Sequence, residues 1–138
     1  MTPRLALLGL LLSLSCTDAA PCTSCPPIEG VWFLQYTEPT FPCDAGTPTT
    51  PPATVSFTRE GSVMRGAIEG VTLSGTLYDT YDFTLAGQSM NGDLTVNLRG
   101  LYIAPDKPDA GSDRITSGTL ARSTASCRDE RRFTGARY

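Results

Sequence analysis

Five cysteines are the residues of this chain best suited to chemistry: Cys16, Cys22, Cys25, Cys43 and Cys127. Cys22-Thr-Ser-Cys25 has the CxxC spacing of a redox dithiol or of half a tetrahedral metal site. A redox CxxC sits at a helix start after a strand, whereas this one stands in a Pro-flanked stretch before Pro26-Pro27. Zinc would need two more ligands, and the chain has no His. A structural or labile disulfide is therefore the expectation. The lack of His also removes Ser-His-Asp and Cys-His catalytic sets and the commonest general base. Asp106, Asp109 and Asp113 share one loop, but their spacing is not that of a known calcium loop, so a solvated acidic loop is expected. Arg128-Asp-Glu-Arg-Arg132 reads as a self-neutralising charge cluster in a solvated turn before the last strand. The reading is of a protein without catalytic residues, metal or cofactor, and not an enzyme.

Cys16 is the one cysteine whose surroundings suggest a specific chemical fate. Arg4 gives a short positive start, and Leu5 to Leu14 is an apolar run broken only by Ala6, Gly9 and Ser13. Ser15-Cys16 follows, then polar and Pro-rich sequence. This is the anatomy of a secretory signal, and the run is too short to span a bilayer. Ser13 to Cys16 also resembles the lipobox of bacterial lipoproteins, which ends in the lipidated cysteine. The resemblance implies residues 1–15 as a signal peptide and lipid attachment at Cys16. The family places leucine three residues before the cysteine; here Ser13 stands there and Leu14 follows it. Secretion with cleavage near Ser15 is the alternative. Thr17, rather than an aspartate, follows Cys16, which by the same resemblance points to the outer membrane. A bacterial cell envelope location is expected, with a soluble periplasmic or secreted protein as the alternative.

Removing residues 1–15 takes away Arg4 and no acid, so ten bases and fourteen acids leave a charge of −4. A weakly acidic chain with one lysine and no basic cluster argues against a nucleic-acid partner. The remaining length suits one domain with a single core. Export places the cysteines in an oxidising compartment. With Cys16 lipidated, four cysteines allow three pairings. Cys22–Cys25 with Cys43–Cys127 is favoured. The longer bridge would tie the early part of the domain to the last strand, worth about 4–5 kcal/mol on the chain-entropy model.

These residues must be positioned by strands. Residues 16–27 read as a lipidated N-terminus and flexible linker, and 28–138 as one domain. Thr37 to Ala53 and Ala104 to Asp113 read as long loops. Between them lie short runs rich in Val, Leu, Thr, Phe and Tyr, set off by Gly and charged turns, which is all-β spacing. Two-residue turns at Glu60-Gly61, Glu69-Gly70 and Asn91-Gly92 set the register. The first pairs Phe57 with Met64, the second Ile68 with Val71 and Gly66 with Leu73, the third Gly87 with Val96 and Phe83 with Gly100. A three-residue turn, Tyr78 to Thr80, pairs Leu77 with Tyr81 and Gly75 with Phe83. This keeps one apolar face: Val55, Phe57, Met64, Ile68, Val71, Leu73, Leu77, Tyr81, Phe83, Leu85, Val96, Leu98 and Tyr102. Ser56, Thr58, Thr72, Ser74, Thr76, Thr84, Thr95 and Asn97 occupy the other.

A twisted meander with one apolar face must cover it, and closing on itself also removes the edges. Strands near 28–36, 113–121 and 131–138 bring the total to about eight. The expected fold is all-β, a small antiparallel up-and-down barrel. Gly66, Gly75 and Gly100 recur on the inner face, with Gly118 and Gly135 as further candidates. They either vacate a ligand pocket or let a small barrel bend while large neighbours fill the gaps. A ring of Phe83 covering both Gly75 and Gly100 favours the second. Tyr36, Phe57, Met64, Leu73, Phe83, Leu98 and Tyr102 would line a pocket if there is one.

Gly30-Val31-Trp32 at the start of the first strand resembles the GxW motif of lipocalin-like barrels, the calycin group. That resemblance implies that Trp32 closes one end of the barrel under a basic residue of the last strand, Arg137, with Arg132 as the fallback. The chain is shorter than a typical lipocalin and shows no C-terminal helix. Its single Trp rules out the several-Trp pocket of avidin-type biotin binders. Two function classes follow. The first is a lipid-anchored envelope protein whose barrel binds a small apolar ligand or an envelope protein, or is purely structural. The second is a periplasmic protease inhibitor that inserts residues 17–27 into a protease cleft, which requires Cys16 to be free of lipid.

Overall fold

The chain is described here from a computed structural model covering residues 19–37, 51–105 and 113–137. Eight strands follow one another: β1 Gly30–Tyr36, β2 Thr54–Glu60, β3 Val63–Ile68, β4 Val71–Leu77, β5 Asp82–Gln88, β6 Thr95–Ile103, β7 Arg114–Ser123 and β8 Arg128–Arg137. Each pairs antiparallel with the next, and β8 returns to β1, closing an up-and-down barrel. Alternation builds it: in β1, Trp32 and Leu34 are buried while Val31, Phe33 and Gln35 are exposed. Twelve of the thirteen residues on the expected apolar face are buried; the thirteenth is Tyr81, at 38% exposure.

Turn chemistry explains where the register holds and where it slips. Glu69 and Gly70 both have positive φ, as a two-residue type I′ turn requires, and Ile68 faces Val71 as expected. Gly87 faces Val96 and Phe83 faces Gly100 as expected, although Asn91-Gly92 lies within a four-residue loop closed by Ser89 and Leu94. The first hairpin turns at Gly61-Ser62 rather than Glu60-Gly61, so Phe57 faces Gly66 instead of Met64. Gly61 carries the positive φ at the first turn position, where a type II′ turn wants glycine.

The third hairpin has a three-residue loop, Asp79 to Tyr81, one residue later than expected. The Tyr81 N–H donates to Tyr78 O, and the Tyr78 N–H to Asp82 O. Leu77 therefore faces Phe83, not Tyr81, and Gly75 faces Leu85, not Phe83. Tyr81 takes the left-handed position (φ 67°) that glycine usually fills, and so leaves the inner face. Both slips are by two residues, which preserves the inward side chains; a slip of one would have reversed them.

Two further expectations change. Arg128 to Arg132 is not a solvated turn: β8 begins at Arg128, and Asp129 is buried. The linker before the barrel is not free along its whole length. Pro21 forms a β-bridge with Tyr78, the Cys22 N–H donates to Leu77 O, and the Asp79 N–H donates to Ala20 O. Cys22 and Ile28 belong to the core.

Candidate functional site

Side chains fill the interior of the barrel. Phe57, Met64, Leu73, Phe83, Leu98 and Tyr102 are all 2% exposed or less. The Phe57 and Phe83 rings meet edge-on at 5.5 Å, as do Trp32 and Tyr102 at 6.0 Å. Tyr36, half-buried, lies 5.9 Å from Phe133. The inner glycines make room for these rings. A Cβ on Gly100 would lie 2.9 Å from Phe83, and one on Gly118 2.5 Å from Phe133. Phe83 thus lies over Gly100, whereas Gly75 faces Leu85 and a Cβ there would strike the Thr84 carbonyl.

One end of the barrel gathers the start of β1, the end of β8 and residues 20–29. Trp32 is fully buried, and its indole N–H donates to Ile28 O at 2.8 Å. Arg137 faces it across β1 and β8, with its guanidinium carbon 5.4 Å from the ring centre. The same guanidinium donates to Glu29 O at 2.7 Å and pairs with Asp113. Asp113 also accepts from the Tyr102 hydroxyl at 2.8 Å. Burial and that hydrogen bond push the Tyr102 phenol up to about 12. Asp113 is thus an ion-pair partner; Asp106 and Asp109 lie outside the described residues. Arg132 is exposed on the other side of the strand. Glu29 and Arg59 add an ion pair at 2.8 Å. Cys22 and Cys25 are joined in a disulfide, with Cα atoms 5.3 Å apart.

The opposite end holds a group that the sequence reading missed. Arg122, 1% exposed, donates from Nε and Nη2 to Asp129 Oδ2 at 3.2 and 2.6 Å. Its Nη1 donates to Glu69 Oε1 at 3.0 Å. Arg131 also donates to Asp129. Burial pulls the Arg122 pKa down, but the two carboxylates outweigh it and hold the guanidinium above its usual range. Burial instead raises the nearby Tyr36 phenol, against the pull of Arg122, and that hydroxyl donates to Pro52 O. A signal for this cluster existed. Arg122 has the parity of Leu120, and Asp129 and Arg131 have the parity of Phe133, so longer strands place all three inside. Cys127, just before β8, is disulfide-bonded. Its expected partner Cys43 lies outside the described residues, as does Cys16.

Among the described residues, Glu29, Glu69, Asp113 and Asp129 are each engaged by an arginine, and the Tyr102 hydroxyl donates to Asp113. Among the described residues, no group of three or more Cys, Asp or Glu could hold a metal. Among the described residues, shallow hollows indent the outer face. One of about 280 Å³ is lined by Thr84, Asn97, Arg99 and Glu130 among others. Another, of about 510 Å³, is lined by Gln35, Arg99, Ser117 and Arg132 among others. No known protein family, curated protein or solved structure matches this chain.

Proposed function

We propose that this chain is an exported, lipid-anchored protein of the bacterial cell envelope, most simply at the outer membrane. Its barrel works by binding or as a structural element rather than by catalysis. The observation that carries this reading is the closed barrel with a filled core, joined to a signal-like Met1–Cys16 by only a few residues. Such a body leaves its outer face and ends for recognition, which favours an envelope protein as partner over a small ligand held inside. The Cys22–Cys25 disulfide agrees with an oxidising compartment. Trp32 under Arg137 supports a relation to the calycin group, from which no ligand follows. The inhibitor alternative needs residues 17–27 free to enter a protease cleft. The hydrogen bonds holding Ala20 and Cys22 to the barrel count against it.

Intact mass spectrometry of the native membrane fraction tests the proposal. The expected species starts at Cys16, carries two or three acyl chains and gains four mass units on reduction of two disulfides. An unmodified mature chain in the soluble fraction overturns it.

A further inference from the structure

We infer that the Trp32 end of the barrel is pressed against the bilayer, and that the loop Asp79 to Tyr81 is its point of contact with lipid. The inference rests on lipidation of Cys16. Backbone bonds hold the chain to the barrel from Ala20 onward, through Ala20 O, the Pro21 bridge and the Cys22 N–H. Three residues, Thr17 to Ala19, separate Cys16 from Ala20, so four Cα–Cα steps join them. A fully extended chain covers no more than about 3.6 Å per residue, so the anchor lies within roughly 14 Å of the Ala20–Asp79 bond. The ten-residue β8 spans roughly 30 Å at about 3.3 Å per residue, so the Arg122 end is carried away from the surface.

Three of the five exposed large hydrophobic side chains among the described residues gather at this end, while Phe33 lies further along β1 and Met90 stands at the opposite end. Val31, Val63 and Tyr81 are 50%, 46% and 38% exposed. Val31 is the second residue of β1, Val63 opens β3, and Tyr81 stands in the loop entering β5. All three therefore ring the end from which the N-terminal segment leaves. Tyr81 has the apolar body and polar tip suited to a headgroup layer. Glu60, Asp79 and Asp82 lie at the same end, which suits a neutral lipid surface better than an anionic one.

The test places a benzophenone amino acid at Thr80 or at Met90, both exposed and at opposite ends. The acylated protein is reconstituted in vesicles of phosphatidylcholine and phosphatidylethanolamine and irradiated. Lipid adducts are expected to be about tenfold more abundant from Thr80 than from Met90. A second variant inserts twenty Gly/Ser residues between Asp18 and Ala19, a coil reaching on the order of 25 Å. Its Thr80 adduct is expected to fall about fivefold. Equal adducts at both positions, adducts at neither, or no loss on lengthening would overturn the orientation while leaving the anchor intact. A chain without acyl mass overturns the anchor, and the orientation with it.

Discussion

Arg122 and Asp129 face each other across β7 and β8, joined at 2.6 Å where solvent reaches only 1% and 5% of their side chains. An ion pair so placed is a liability when half of it is lost. Arg122→Met leaves Asp129 buried without its main counter-charge and is expected to cost about 3–5 kcal/mol in urea unfolding. The Arg122→Met, Asp129→Leu double variant is expected to recover at least half of that loss. A recovery would show that the pair specifies the packing of this end more than it adds net stability.

The inner glycines should rank by what their missing Cβ would meet. Gly66→Ala brings a methyl to 3.3 Å from Leu85, a flexible side chain, and is expected to be nearly neutral. Gly118→Ala meets the Phe133 ring at 2.5 Å and is expected to cost about 1–3 kcal/mol, recovered in part by Phe133→Leu. Gly75→Ala drives into the Thr84 backbone, which cannot turn aside, and should be the worst of the three. Thermal unfolding of the three variants side by side reads the order.

Alkaline pH should loosen the Trp32 end. The Tyr102 phenol is raised to about 12 in the folded chain from its ordinary value near 10. Between those values the unfolded chain has released a proton that the folded chain keeps, so stability falls as pH rises. The contribution is fully present below about pH 10 and lost through about pH 12. Tyr102→Phe is expected to flatten that decline, leaving the slope due to Tyr36, whose phenol is also raised. Urea midpoints taken from pH 8 to pH 11.5 would show the difference.

Ser117 sits at φ 51° in the irregular stretch of β7 between Ile115 and Gly118. A left-handed backbone costs a non-glycine residue about 1–2 kcal/mol, and glycine gives back part of that in the flexibility of the unfolded chain. Ser117→Gly is therefore expected to stabilise by about 0.5–1 kcal/mol, read as a higher urea midpoint with unchanged slope.

The barrel was legible because alternation and turn residues spoke together. Glu69-Gly70 and Asn91-Gly92 each fixed a register that the structure keeps. The two registers that moved did so by two residues, because parity constrains which side faces inward but not how far a strand slides. At Tyr81 local preference named glycine, and the ring packing of Tyr81 on Tyr102 at 6.4 Å accompanies the exception. The Arg122 cluster was hidden for another reason. A charged residue taken alone reads as solvent-facing, and only the pairing of β7 with β8, residue against residue, shows that Arg122 and Asp129 satisfy each other. The N-terminal segment looked like a tether because its bonds to the barrel run through backbone atoms, which leave no trace in side-chain pattern.

Seven seams of the barrel join strands that are neighbours in the chain, but the eighth joins β1 to β8, so Trp32 waits for Arg137, roughly a hundred residues later. That single seam sets the kinetic character of folding. Local hairpins can form in microseconds, whereas closure must overcome the entropy of a very long loop and is expected on the millisecond-to-second scale. Until then β1 and β8 are two open edges of one apolar-faced sheet, competent to pair with another copy. Aggregation during biogenesis, rather than unfolding afterwards, is where this molecule is most exposed.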